Sequence, residues 1–217
     1  MNKRLSTLII LILSCTPVQA KPLLLLQTFG TKQHTGRTVA GGTERGITIQ
    51  LTEIINDVLA NLEEPPQVFI INPVSDNKKK PLETLNKINQ AKQAVVVQLT
   101  ASQSLQAKPS CNIFYRCYNP LTDQIKRPYA PLTPIPLEDV YLLNFGQSKI
   151  LAKSFNEYLK TTNDFIDISE PIGIPLAGVR GIKHPMIQIE VNINKDTEIT
   201  QLGTILAHAL EKIAQPT

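Results

Sequence analysis

Two glutamates and one histidine are the residues of this sequence best suited to chemistry. Glu190 interrupts the apolar run Met186–Ile193, where an ionised group is costly unless it is paired or functional. Glu44 stands at the start of an amphipathic helix, and His34 lies in the Gly- and Thr-rich segment 30–43 before that helix. Carboxylates and imidazoles serve as general bases and as metal ligands, so these residues define a candidate site.

Each of these residues also has a structural interpretation. In segment 187–192 apolar and polar residues alternate, which equally fits a Glu190 side chain that points away from the sheet into solvent. An acidic residue such as Glu44 favours the helix dipole and caps free N–H groups. His184 precedes Pro185 and is typical of a turn, and His208 borders the apolar stripe of the last helix.

The elements that must position these residues alternate between strands and helices. Apolar runs predict strands at 23–26, 68–71, 94–97, 111–118 and 186–191, and helical periodicity predicts helices at 47–62, 82–88, 150–159 and 199–213. This alternation favours an α/β fold, with a mostly parallel sheet covered by helices on both faces. Ligands of such sheets bind at the carboxyl ends of strands, here just after Leu26, Val97 and Ile189.

Several segments carry a resemblance to one enzyme family. Strand 23–26 leads to Phe29-Gly30, a Gly-rich loop and Thr43-Glu44-Arg45-Gly46, while strand 68–71 is followed by Asp76. Segment 94–102 is similar to a strand of that family with the sequence Ser-Ile-His-Ala-Asn. Segment 185–190 is similar to another strand of the family, with the pattern Pro-Ala-x-Leu-x-Glu. The order of these segments resembles that of the zinc-dependent N-acetylmuramoyl-L-alanine amidases, and the resemblance extends over nearly the whole mature chain. Those enzymes cut the amide bond between the lactyl group and the stem peptide of peptidoglycan.

The resemblance implies a zinc ion held by His, Glu and His, with one open position for water. It makes Glu44 a metal ligand and Glu190 the catalytic general base. The two His positions fall on Phe29 and Thr100, so His34 is the candidate replacement ligand. Arg37 and Arg45 are candidate contacts for an anionic stem peptide, although a solvated loop charge is the safer interpretation of both.

Three functions follow from this incomplete ligand set. The first is a diverged amidase-like cell-envelope protein that binds or acts on peptidoglycan, or regulates a cell-wall hydrolase, with impaired catalysis. The second is an active zinc amidohydrolase with a rearranged site. The third is a structural envelope domain without peptidoglycan contact. Zinc is expected as a cofactor in the active case, and none is required otherwise.

The N-terminus predicts export. A basic start, an apolar run and a small-residue end at Ala20 have the order of a signal peptide over residues 1–20, leaving one domain at 21–217. The periplasm or cell envelope is the expected location, and lipidation of Cys15 would anchor the protein. Removing 20 of 217 residues leaves 197, with 20 basic against 18 acidic residues. That balance does not indicate nucleic-acid binding, and no later apolar run is long enough for a transmembrane segment.

Cys111 and Cys117 lie within the predicted strand 111–118. Six extended residues hold two Cα atoms about 20 Å apart, whereas a disulfide needs less than about 7 Å. The strand therefore predicts two free thiols.

Overall fold

The computed structural model describes residues 22–31, 33–71, 86, 88–117, 143–174 and 181–214. The strands are β1 (Leu23–Gln27), β2 (Thr38–Val39), β3 (Gly42–Thr43), β4 (Val68–Ile71), β5 (Ala94–Gln103), β6 (Ser110–Arg116), β7 (Asp167–Ile168), β8 (Ile172–Ile174) and β9 (Met186–Ile193). The helices are α1 (Glu44–Ala60), α2 (Phe145–Thr162) and α3 (Ile199–Ile213), with a 3₁₀ turn at Asp196–Glu198.

The main sheet has the strand order β4-β1-β5-β9-β6-β7, and β8 also pairs with β6. Strands β4, β1, β5 and β9 run parallel, whereas β6 is antiparallel to β9 and parallel to β7 and β8. The predicted mostly parallel α/β fold is confirmed. Because β1, β5 and β9 are parallel neighbours, their carboxyl ends lie side by side at one edge of the sheet.

The two faces of the sheet are covered unequally. Alternate strand residues such as Leu26, Val97 and Ile189 pack in one core with α1, α2 and α3. The opposite face carries a smaller core that includes Val96 and Met186 and is covered by Ile88 and Ile182. Residues 88–90 are helical, while the beginning of the predicted helix 82–88, apart from position 86, lies outside the described residues. Helical residues therefore cover both faces, with the three long helices on one of them.

The second face changes from apolar to polar along β5 and β9. In register, the apolar pair Val96–Met186 is followed on the same face by Gln98–Gln188. The pairs Thr100–Glu190 and Ser102–Asn192 come next, and β6 continues both rows with Asn112 and Ser110. We call these side chains the polar patch: Gln98, Thr100, Ser102, Ser110, Asn112, Gln188, Glu190 and Asn192.

Helix α1 begins at a well-defined cap. Thr43 has extended backbone, and its hydroxyl accepts a hydrogen bond from Gly46 N at 3.2 Å. This hydroxyl, rather than the Glu44 carboxylate, satisfies the first turn of the helix. Buried residues at helical spacing, including Leu51 and Ile55, then hold α1 against the sheet. The start of α1 is thus fixed by its own cap and its apolar stripe, leaving the Glu44 carboxylate available for other partners.

Cys111 in β6 and Cys117 just after it are free thiols, in agreement with the strand-based prediction. Within the described ranges, no helix is both long and apolar enough to cross a bilayer. The predicted signal peptide at residues 1–20, Cys15 within it, and Asp76 all lie outside the described residues.

Candidate functional site

The carboxyl halves of β5 and β9 and the start of α1 bring the two glutamates together. Glu190 lies in β9 and Glu44 opens α1. The backbone N–H of Ala101 in β5 donates to Glu44 Oε1 at 3.3 Å, which fixes the carboxylate against the sheet. Glu44 is 1% exposed. A buried carboxylate requires a compensating charge and hydrogen-bond donors.

Arg37 supplies that charge. Its Nε donates to Glu44 Oε2 at 3.2 Å, its Nη2 donates to Glu44 Oε1 at 3.0 Å, and the same Nη2 donates to Glu190 Oε1 at 2.8 Å. The backbone N–H of Arg37 adds a bond to Glu44 Oε2 at 3.3 Å. We call Arg37, Glu44 and Glu190 the bridged cluster. Its formal charge is −1, because one guanidinium faces two carboxylates.

The bridged cluster keeps Arg37 charged. The hydrogen bond to Glu44 raises the pKa of Arg37 well above its ordinary value; burial opposes this, and Glu190 adds to it. The Arg37 side chain is 53% exposed and that of Glu190 is 18% exposed. Arg37 therefore reaches the surface beside the polar patch, to which Glu190 belongs. The Glu190 side chain is therefore partly exposed and at the same time paired with Arg37.

A tight backbone approach makes the bridged cluster possible. Gly36 has a φ of 80°, and a Cβ at this position would lie 2.6 Å from Glu44 Oε2. The loop is held there because Glu44 N donates to Arg37 O at 2.8 Å and Arg45 N donates to Thr35 O at 3.0 Å. The hairpin β2–β3 turns at Ala40 and Gly41, both with positive φ, which is typical of a type I′ turn.

The other predicted site residues lie outside the bridged cluster. His34 is exposed, and its backbone N–H donates to Thr31 Oγ1 at 3.1 Å. Arg45 is half-buried, and its Nε has no hydrogen-bond partner among the described residues. His184 is buried on the amino-terminal side of β9 and contacts Ile88 O through Nε2 at 2.8 Å. The structure therefore joins Glu44 and Glu190 through Arg37, and it does not add His34 to them.

The residues at the expected zinc position do not fit zinc. Phe29 has no donor atom in its side chain. The buried Thr100 hydroxyl donates to Ile189 O at 3.4 Å and accepts from Gln188 Nε2 at 3.3 Å, and both oxygens of Glu44 accept hydrogen bonds. Across the described part of the chain, no three His, Cys, Asp or Glu side chains are grouped as metal ligands. A structural or catalytic zinc needs three or four such ligands.

The polar patch was missed by sequence reasoning. Asn192 bridges two strands, because its Nδ2 donates to Ser110 Oγ at 2.9 Å and its Oδ1 accepts from Ser102 Oγ. Ser169 Oγ donates to Asn112 Oδ1 at 2.8 Å. The available signal was the polar residue at every second position of both β5 and β9. Half-exposed amides and hydroxyls held in this way suit a ligand rich in hydroxyl and amide groups.

Two hollows differ in their relation to this site. One of about 300 Å³ lies at the end of β1, lined by residues that include Gln27, His34 and Gln98. The Oε1 atom of Gln27 is buried without a hydrogen-bond partner among the described residues. A larger hollow of about 750 Å³ is lined by residues such as Pro22 and His184, at the amino-terminal ends of the strands. We associate the smaller hollow with the site, because two residues that line it also belong to or adjoin the site. Gln98 is part of the polar patch, and Gly36 lies against Glu44 of the bridged cluster.

Comparison with solved structures places the fold. The chain is similar to the N-acetylmuramoyl-L-alanine amidase AmiC2 of Nostoc punctiforme, with 11% identity and a TM-score of 0.58 over 90% of this chain and 96% of that one. It is also similar to the CwlD amidase of Clostridioides difficile, solved with the GerS lipoprotein, with 14% identity and a TM-score of 0.54 over 89% and 98% of the chains. Ami1 of Mycobacterium smegmatis gives 11% identity and 0.54 over 90% and 97%.

No protein-family profile matches the sequence, and no curated protein matches it either. At these identities the likeness concerns the fold. The chain has an amidase-like fold over 89–90% of its length, which confirms the resemblance inferred from the order of its elements.

Proposed function

We propose that this protein is a cell-envelope domain that binds peptidoglycan and lacks zinc-dependent amidase activity. The observation that carries the proposal is the bridged cluster. In it, the glutamate expected to bind zinc is instead paired with Arg37, and the expected histidines are Phe29 and Thr100. The resemblance to a signal peptide over residues 1–20 supports placement in the periplasm or cell envelope.

Binding is supported by what surrounds the bridged cluster. The polar patch offers amides and hydroxyls at the strand ends where ligands of parallel sheets bind. Peptidoglycan presents sugar hydroxyls, peptide amides and carboxylates, which these groups recognise by hydrogen bonding. The solved structures of the same fold are named as N-acetylmuramoyl-L-alanine amidases, which supports peptidoglycan as the ligand class that we infer.

Co-sedimentation with purified sacculi tests the proposal. We expect the mature domain, residues 21–217, to pellet with sacculi and to release no stem peptide with or without added zinc. Gln98→Ala removes one amide of the polar patch and is expected to weaken binding about 3- to 10-fold, the size of one lost hydrogen bond. Gln201→Ala changes an exposed residue of α3, beyond the opposite face of the sheet, and serves as the matched control.

Each alternative has its own outcome in this assay. Release of stem peptide in the presence of zinc would establish an active amidohydrolase with a rearranged site that uses His34, Glu44 and Glu190. Failure of the folded domain to pellet would favour a structural envelope domain without peptidoglycan contact. Equal binding by the Gln98→Ala and Gln201→Ala variants would remove the polar patch from the proposal.

A further inference from the structure

We infer that the Arg37 guanidinium is a built-in cation that takes the place of a divalent metal between Glu44 and Glu190, so that the site assembles without metal. This inference goes beyond peptidoglycan binding. It concerns what holds the site together, and its readouts do not involve a ligand.

The two carboxylates of the bridged cluster require a cation between them. Glu44 is buried and sits at the position where a metal ligand is expected, and Glu190 Oε1 accepts a hydrogen bond from the same Arg37 nitrogen as Glu44 Oε1. Two carboxylates that approach one point repel each other unless a cation lies between them. The Nη2 atom stands at 3.0 Å from one carboxylate and 2.8 Å from the other. A bridging cation therefore exists, and it is part of the chain.

N–H donors of the chain already occupy the Glu44 carboxylate. Glu44 Oε1 accepts from Arg37 Nη2 and Ala101 N, and Oε2 accepts from the Nε and backbone N of Arg37. Both oxygens are thus engaged with N–H donors in a two-pronged arrangement that favours arginine over a point charge. A metal ion would have to displace the paired hydrogen bonds between Arg37 and the Glu44 carboxylate. It would gain no imidazole ligand in return, because positions 29 and 100 are Phe and Thr.

Arg37 also connects two parts of the chain that are distant in sequence. Residues 37 and 190 are 153 positions apart in sequence, and the guanidinium is a direct tie between the loop before α1 and strand β9. A metal shared by these elements would join them in the same way. Removal of the Arg37 side chain should therefore lower the melting temperature of the domain. Removal of metal should leave the melting temperature of the wild type unchanged.

The test is thermal unfolding of the mature domain in buffers with EDTA or with zinc, together with elemental analysis after dialysis. The wild type should contain no stoichiometric zinc and should melt at the same temperature in both buffers. Arg37→Met should melt about 4–8 °C lower, since it leaves the buried Glu44 carboxylate without a partner of opposite charge. Lys153→Met removes an equal charge from an exposed position of α2, and its melting temperature should stay close to that of the wild type.

A triple variant tests whether the Arg37 guanidinium occupies the position that a zinc ion would take. Phe29→His, Arg37→Met and Thr100→His together supply two imidazoles and vacate the guanidinium, so zinc should raise the melting temperature of this variant and not that of the wild type. A folded triple variant that zinc does not stabilise would overturn the inference, and so would a wild type that EDTA destabilises. If the triple variant does not fold, the comparison of Arg37→Met with Lys153→Met decides, and equal melting temperatures refute the inference. Failure of the sacculus assay would leave all these results unchanged.

Discussion

Replacement of Gly36 by alanine should destabilise the domain far more than the same replacement of Gly41. Both glycines adopt left-handed backbone, with φ of 80° and 84°. They differ in surroundings, because a Cβ at Gly41 meets nothing within 4 Å, whereas a Cβ at Gly36 lies 2.6 Å from Glu44 Oε2 and 2.8 Å from Phe29 Cε1. The pair therefore separates backbone strain from crowding of the bridged cluster.

The expected magnitudes follow from these contacts. An L-residue in left-handed backbone costs about 1–2 kcal/mol, and the lower entropy of the unfolded alanine chain returns about 0.4–1 kcal/mol. Gly41→Ala should thus cost about 0.5–1 kcal/mol of the free energy of unfolding. Gly36→Ala adds overpacking against Glu44 and Phe29, worth about 1–3 kcal/mol, for a total of about 2–4 kcal/mol. For a domain of this size that difference lowers the melting temperature by several degrees.

Urea unfolding followed by circular dichroism measures both variants against the wild type. Equal m-values would show that the unfolded state is not the source of the difference. Equal losses for Gly36→Ala and Gly41→Ala would refute the reasoning, since the loop would then not approach Glu44 as closely as the structure places it. A smaller cost of Gly36→Ala in a Glu44→Ala background than in the wild type would confirm that part of the crowding is with the glutamate carboxylate.

Three further predictions concern the rest of the fold. Gly203→Ala should cost about 1–2 kcal/mol in urea unfolding despite better helix propensity, because its Cβ would lie 2.6 Å from Ile54 Cγ2 where α3 crosses α1; a stabilised variant would contradict this packing. Burial, with a smaller contribution from the charge of Glu190, raises the pKa of the Cys111 thiol to about 12. Iodoacetamide at pH 8 should therefore label Cys117 and spare Cys111 until the protein unfolds, and labelling of Cys111 in the folded protein as fast as Cys117, detected by mass spectrometry, would contradict the burial. Burial also lowers the pKa of His184 below 6.5, so the folded state prefers the neutral ring and stability should fall as pH drops below about 6.5 through the folded pKa. His184→Gln should lose that part of the pH dependence, and an unchanged slope would show that another group titrates.

Much of the fold was predictable because its signals are local. Continuous apolar runs predict buried parallel strands, and helical spacing of apolar residues predicts α1, α2 and α3. The strand ends directed attention to the vicinity of Glu190, and the helix start directed it to Glu44. The order of these elements was sufficient to suggest the amidase-like fold, which the solved structures confirm even though identities are only 11–14%.

The partner of each charged group was decided only by the tertiary structure. Sequence reasoning made Arg37 a candidate contact for a bound stem peptide and Glu44 a candidate zinc ligand. It could not pair the two, because a long guanidinium side chain reaches many partners and its sequence neighbours do not select one. The polar patch likewise depends on register, since a shift of one residue between β5 and β9 would turn its polar side chains to the opposite face. Sequence alone determined which side chains carry charge and which strands are buried. The sheet register and the close approach permitted by Gly36 decided that Arg37 stands between two carboxylates, because only folding brings residues 153 positions apart to within hydrogen-bonding distance.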